Sequence, residues 1–263
     1  MEKLGTDSFF SGLSGLQLPI PKYLFPPPFE NASRLTYYSS LFNSIEFNST
    51  FYKIPTPSTI VNWASSVGLN FKITFKLWKE ITHIKGFNFN ESDVVTFLDS
   101  INFVKEKKGC LLIQFPPGLG NEYIGQLDKL LGCIRKIETG WKIAIEFRNN
   151  SWYNGSTYKL LHNFKTALVI HDIPKSATPM ISHESDFMYV RFHGPTGNYR
   201  DSYSEDFLSD YAEYVRQWLN EGKKVYVYFN NTMGDALNNL QTFNSFLYNK
   251  ANLPQGHRIP QKN

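Results

Sequence analysis

Glu146 and Arg148 close the apolar run Ile143-Ala144-Ile145 with two opposite charges spaced two residues apart. A strand turns alternate side chains to one face, so the carboxylate and the guanidinium point the same way. Charges at the end of a buried strand are costly unless they meet each other or a ligand. A carboxylate so placed can move a proton, and a guanidinium can hold an anion through two parallel hydrogen bonds. Other apolar runs end in the same fashion: Glu46, Asn48 and Thr50 share one parity, Lys76 and Gln114 each finish a run, and His171-Asp172 finish another. Arg191 and His193 again share a parity, and Asn230-Asn231 follow the last run.

The runs that carry these residues read as eight strands, starting near Phe9, Ser44, Phe71, Cys110, Lys142, Thr166, Phe187 and Lys224. Helical patterns fill most gaps, over 33–42, 57–66, 91–107, 123–137, 156–164, 204–221 and 235–249, and the stretch from Asp172 to Asp186 lacks one. Entry signals support several of them, such as Thr56-Pro57 and Asn90-Glu91. Repeated strand-then-helix units of about 30 residues predict an α/β fold, a TIM (β/α)8 barrel, over residues 1–252, with a polar tail at 253–263. Ser11-Gly12-Leu13-Ser14-Gly15 lacks the third glycine of a dinucleotide fingerprint, and the proline-rich Leu18–Pro28 reads as an extended loop. In such a barrel the strand ends converge on one face, which makes the polar residues above a single expected site.

Composition narrows the setting. The 263 residues are 41% hydrophobic, enough for a substantial core, and 27 Lys and Arg against 23 Asp and Glu give a net charge of +4. That excess suits an anionic ligand and falls short of a dedicated nucleic-acid surface, so nucleic acid is admitted but not favoured. Cys110 and Cys133 form no disulfide framework, the N-terminus lacks a leader pattern, and no uncharged apolar stretch reaches the roughly 18 residues of a membrane span. A cytoplasmic protein is expected, with nothing distinctive to fix its oligomeric state.

The same strand ends carry a resemblance. Phe42 to Pro55 (FNSIEFNSTFYKIP), Gln114 to Pro117, Ile145-Glu146-Phe147-Arg148 with Ser151-Trp152, Tyr189 to Gly194 and Tyr228 to Thr232 resemble the motifs of the domain-of-unknown-function 72 (YecE-like) family. Together they span nearly the whole chain. The resemblance implies a TIM barrel and no established activity. The first strand departs from the family's Gly-Thr-Ser-Gly-Trp pattern, with Leu16 where the tryptophan is expected, and His171 before Asp172 is uncharacteristic.

Each candidate has a plain structural reading beside the chemical one. Glu46 could pair with Arg148 or Arg191 and close the barrel as a polar network, His193 could hold a loop carbonyl, and Lys76 could snorkel from a strand end. Gln114 and Asn230-Asn231 could cap loops, while Tyr52, Trp152 and Tyr199 could be ordinary packing in a chain that is 16% aromatic. The favoured chemistry is acid–base or hydrolytic work, as a hydrolase or lyase, on a small anionic or phosphate-bearing substrate. Glu46, Glu146 or His193 would move the proton, and Lys76, Gln114, Arg148, Trp152, Arg191 and Asn230 would bind. No cofactor is expected there. One alternative is a metal-dependent phosphodiesterase or nuclease with a divalent ion on Glu46, Glu146, His171, Asp172 and His193. Another is a non-catalytic binding or interaction protein. A glycosidase pair is disfavoured, because adjacent arginines would keep both glutamates ionised.

Overall fold

A computed structural model describes residues 7–18, 20–137, 140–180 and 185–248; the expected tail 253–263 lies outside the described residues. Eight strands appear: β1 (Phe9–Leu13), β2 (Ser44–Phe47), β3 (Lys72–Lys76), β4 (Lys108–Gln114), β5 (Lys142–Glu146), β6 (Ala167–His171), β7 (Phe187–Phe192) and β8 (Lys224–Phe229). Each begins within two residues of its expected start. Around them run α1 (Arg34–Leu41), α2 (Pro57–Ser65), α3 (Lys79–Thr82), α4 (Glu91–Ile101), α5 (Ile124–Ile137), α6 (Gly155–Asn163), α7 (Glu205–Asn220) and α8 (Ala236–Tyr248).

Local chemistry sets the helix starts. Ser33, Thr56, Asn154 and Ser204 accept hydrogen bonds from the first-turn amides of α1, α2, α6 and α7. Two expectations change. The helix read over 91–107 ends at Ile101 and continues as a tighter turn in which Lys105 takes a positive φ of 55°. The one-turn α3 was not anticipated; it carries the chain away from the end of β3. Among the described residues between β6 and β7 no helix intervenes, as expected.

All pairings are parallel, in the order β1-β8-β7-β6-β5-β4-β3-β2, which makes a TIM-type barrel. Strand parity sorts the side chains. Outward residues such as Ile73, Phe75, Ile143, Ile145, Val190 and Phe192 pack under the helices, each buried side chain stabilising the fold by about 1.5–3 kcal/mol. Inward residues stack in tiers. Phe10, Phe187 and Tyr226 fill the amino-terminal end, and Leu112, Ala144, Val169, Tyr189 and Tyr228 lie above them. The Tyr228 hydroxyl is satisfied by Ser44 Oγ at 2.6 Å and Thr74 Oγ1 at 2.8 Å. The next inward positions on β2, β3, β4, β5 and β7 are Glu46, Lys76, Gln114, Glu146 and Arg191, so the tier that closes the barrel is polar.

Closure itself uses side chains. Between β1 and β2 the strand pairing reduces to one bridge, Ser14 with Glu46. Below it the Tyr38 hydroxyl takes the place of a backbone partner, accepting from Leu13 N (2.7 Å) and donating to Ser44 O (3.0 Å). Asn43 spans the seam lower down, accepting from Ser11 N and donating to Phe9 O. Gly12 permits this approach, since a Cβ there would lie 2.0 Å from Ser44 O and 2.8 Å from the Tyr38 hydroxyl. Replacing Tyr38 by phenylalanine leaves a buried donor and acceptor unpaired, so a loss of about 2 kcal/mol and a lower melting temperature are expected in calorimetry. An unchanged melting temperature would show that the seam does not depend on this hydroxyl.

Candidate functional site

Arg191 stands at the centre of the polar tier, 1% exposed. Its Nη2 donates to Glu46 Oε1 and its Nη1 to Glu146 Oε2, both at 2.7 Å. The second oxygen of Glu46 accepts from the Tyr189 hydroxyl one tier below. The second oxygen of Glu146 is gripped by Arg148, whose Nε lies at 2.5 Å and whose Nη2 also approaches it. Two carboxylates and two guanidiniums therefore cancel one another within the barrel. Burial would raise the Glu146 carboxyl, but Arg148 and Arg191 outweigh it and hold the group well below the usual carboxylate range. Burial and Glu46 push the Tyr189 phenol well above its ordinary value, so it stays a donor.

His193 ties the guanidiniums to the β6 end. Its Nδ1 donates to Asp172 Oδ1 at 3.2 Å, and the same oxygen accepts its backbone N–H at 2.9 Å. Asp172 Oδ2 accepts from the Tyr203 hydroxyl. With Nδ1 carrying the proton, Nε2 accepts from Arg148 Nη2 (3.1 Å) and Arg191 Nη1 (3.2 Å). Glu146 Oε2 also lies 3.8 Å from Nε2, but a nitrogen that accepts from two guanidiniums has no proton to give it. Burial, aided by Arg191 and Arg148, pushes the imidazole down to about 4 against the pull of Glu146 and Asp172. Past β7 the chain turns back through Gly194, Tyr199 and Asp201, all at positive φ. That turn sets Tyr199 edge-on to His193, with its hydroxyl 3.4 Å from Arg148 Nη1. Holding non-glycine residues in this region costs of order 1–3 kcal/mol each, a strain found mostly at sites.

Lys76 occupies the opposite side of the mouth. Its Nζ donates to Gln114 Oε1 at 2.7 Å and lies 4.1 Å from the centroid of the Phe51 ring. Among the described residues no carboxylate comes within ion-pair distance of it. Burial, then Arg191, push the amine down to about 7, although Glu146 and Glu46 pull the other way. His83 packs edge-on against Phe51 at 4.8 Å, and burial with Lys76 and Arg148 lowers it to about 4. Asn48 donates to Asn230 Oδ1 at 3.5 Å, while its own Oδ1 has no protein partner.

Several expected roles need correction. Trp152 does not line the mouth: it is fully buried, stacked at 4.5 Å on Phe147 and bonded through Nε1 to Leu119 O, so it braces the end of β5 from outside. Thr50 and Asn48 are not strand residues, because β2 ends at Phe47 and a 3-10 turn follows. Asn231 secures the loop before α8 through Asp201 O and Asn239. Both terminal nitrogens of Arg191 are taken by carboxylates, and only its buried Nε lacks a partner, so the guanidinium offers no paired edge to an anion. The donors of the alternative metal reading are not arranged around one point. His171 Nε2 donates to Phe147 O and its Nδ1 accepts from Ile173 N, the glutamates hold arginines, and among the described residues no group of three His, Cys, Asp or Glu is arranged to hold an ion. Phe51, His83 and Tyr189 were missed as site residues. Thr82-His83, just past the end of the third strand, was the available signal.

Two surface clefts lie away from the charged tier. One, of about 740 Å³, sits at the amino-terminal ends of β5 and β7 beside Lys142 and Phe187. The other, of about 500 Å³, lies between the segment after β1 and α8, lined by Leu16, Leu18, Arg34 and Leu237. Neither gathers the buried, perturbed groups that mark the mouth. Among the described residues no helix is long and apolar enough to cross a membrane.

Comparison with known proteins agrees with this architecture. Residues 11–262 match the family model described as a protein of unknown function, DUF72. The chain is 27% identical to UPF0759 protein YunF of Bacillus subtilis (strain 168), over 82% of this chain and 87% of that protein. It is also 27% identical to UPF0759 protein YecE of Escherichia coli (strain K12), over 44% of this chain and 42% of that one. Crystal structures of DUF72 family proteins superimpose closely. The Enterococcus faecalis V583 protein has a TM-score of 0.75 at 23% identity, covering 94% of this chain and all of that one. The Thermotoga maritima MSB8 protein has a TM-score of 0.72 at 25% identity, covering 91% and 98%. The chain belongs to the DUF72 family, the group that its strand-end motifs resemble.

Proposed function

We propose that the chain is an enzyme that binds a small anionic substrate, a carboxylate or phosphate ester, at the carboxyl-terminal mouth of the barrel. Lys76 moves the proton and Arg148 anchors the anion. One observation carries this reading: every carboxylate of the tier is committed to a guanidinium, whereas the Lys76 amine is held by a neutral amide and an aromatic face. An amine pushed to about 7 exists in both protonation states near neutral pH, which suits a general acid or base. Arg148 keeps Nη1 toward the mouth with only a long contact to Tyr199, and its side chain is 11% exposed. Gln114, Asn48 and Asn230 would orient the polar groups of the substrate.

Glu46, Glu146 and His193, expected to move protons, serve better as the frame. Glu146 is held ionised by two arginines, and His193 has its acceptor nitrogen occupied and its proton turned toward Asp172. Proton transfer beside a fixed anion supports lyase or hydrolase chemistry without a metal, which the donors do not fit. The buried, unpaired Cys110 and Cys133 suit a reducing cytoplasm.

Two measurements test this division of labour. Glu146→Gln leaves two guanidiniums facing one remaining carboxylate, so a destabilisation of about 3–5 kcal/mol is expected in denaturant unfolding. A cost below about 1 kcal/mol would remove Glu146 from the frame. Titration with acetate and with inorganic phosphate should show saturable binding that Arg148→Gln weakens at least about tenfold, equal to about 1.4 kcal/mol. Equal affinity in the variant and the parent would refute the anchor.

A further inference from the structure

We propose that Lys76 is also a nucleophile, forming an imine with short oxo acids that carry a carboxylate and a carbonyl on one small molecule. This rests on the anion site above and names its substrate class. The neighbours of Nζ are a carbonyl oxygen, Gln114 Oε1, and the face of the Phe51 ring. Neither donates a hydrogen bond, so Gln114 takes one amine hydrogen and, in the neutral amine, leaves the lone pair unspent. Phe51 shields one flank from water, and burial first, then Arg191, disfavours the ammonium that would quench the nucleophile, against the pull of Glu146 and Glu46. The carboxylate of the oxo acid would meet the outer edge of Arg148, fixing the carbonyl within the same mouth.

The step balances without a further reactant. The Nζ lone pair attacks the carbonyl carbon, and the carbonyl oxygen takes up a proton to give a carbinolamine. That hydroxyl then leaves as water, which carries both hydrogens of the amine, and a C=N bond remains. Once its nitrogen takes a proton from solvent, the C=N bond withdraws electrons from the adjacent carbon, so the same site can release or accept a proton there.

The test is reductive trapping. The full-length protein is incubated near neutral pH with pyruvate or 4-oxopentanoate and borohydride, then mapped by peptide mass spectrometry, with lactate binding followed by calorimetry. One reduced adduct per chain is expected, at Lys76, suppressed by excess lactate, which has the carboxylate but no ketone. Lys76→Arg, its fold checked by circular dichroism, should abolish the adduct; if that variant fails to fold, the site of modification and the lactate competition in the parent protein decide. Adducts spread over exposed lysines with none at Lys76 would overturn the imine. If lactate nevertheless binds, the anion site stands alone; if neither ligand engages the mouth, both readings fall.

Discussion

The clamp of Glu46 and Glu146 on Arg191 is the constraint on which the upper barrel depends. A guanidinium 1% exposed cannot remain without compensating charge, and it draws one carboxylate from β2 and one from β5 onto its two nitrogens. No two of β2, β5 and β7 are neighbours in the ring, so a single side chain from β7 ties together three strands that share no backbone pairing. Once Glu146 is committed below, its other oxygen fixes Arg148, and the two guanidiniums together dictate the tautomer of His193. Asp172 and Tyr203 then extend the same network to the end of β6.

This geometry separates the paired charges of the frame from the amine of Lys76. Glu46, Glu146, Arg191 and His193 are buried and bonded to one another, so removing any one of them leaves a buried partner uncompensated. Lys76 sits outside that closed set. Its folded value lies below the ordinary 10.5, so the unfolded chain binds the proton more readily between about 7 and 10.5. Stability linked to this amine therefore rises with pH across that window and is lowest below it. The proposed reactive role of Lys76 rests on this amine being buried against a neutral amide and an aromatic face at a cost to stability.

Much of the fold could be read from residue order alone, because buried parallel strands write themselves as apolar runs and their polar endings fall on one parity. Glu46, Lys76, Gln114, Glu146 and Arg191 were identifiable on that basis, and they do share one tier. What could not be read was which charges neutralise which. Pairing of Arg191 with Glu46 joins residues 145 positions apart, and nothing local in either strand distinguishes it from pairing with a ligand. Trp152 was misassigned for a related reason. Its place in the motif marks the end of β5, while its direction, outward onto Phe147, is set by the 3-10 turn that precedes α6. His83 and Phe51 entered the site through turns, where parity carries no information.

The most direct measurement is the protonation of Lys76 in the intact protein, followed by heteronuclear NMR of its side-chain Cε and Nζ against pH, with Lys76→Met to assign the signal. A midpoint near 7 is expected, because burial and the Arg191 guanidinium both oppose the ammonium. A midpoint near the ordinary lysine value of 10.5 would contradict it, making Lys76 a permanent cation and removing both the proton-transfer and the nucleophilic roles.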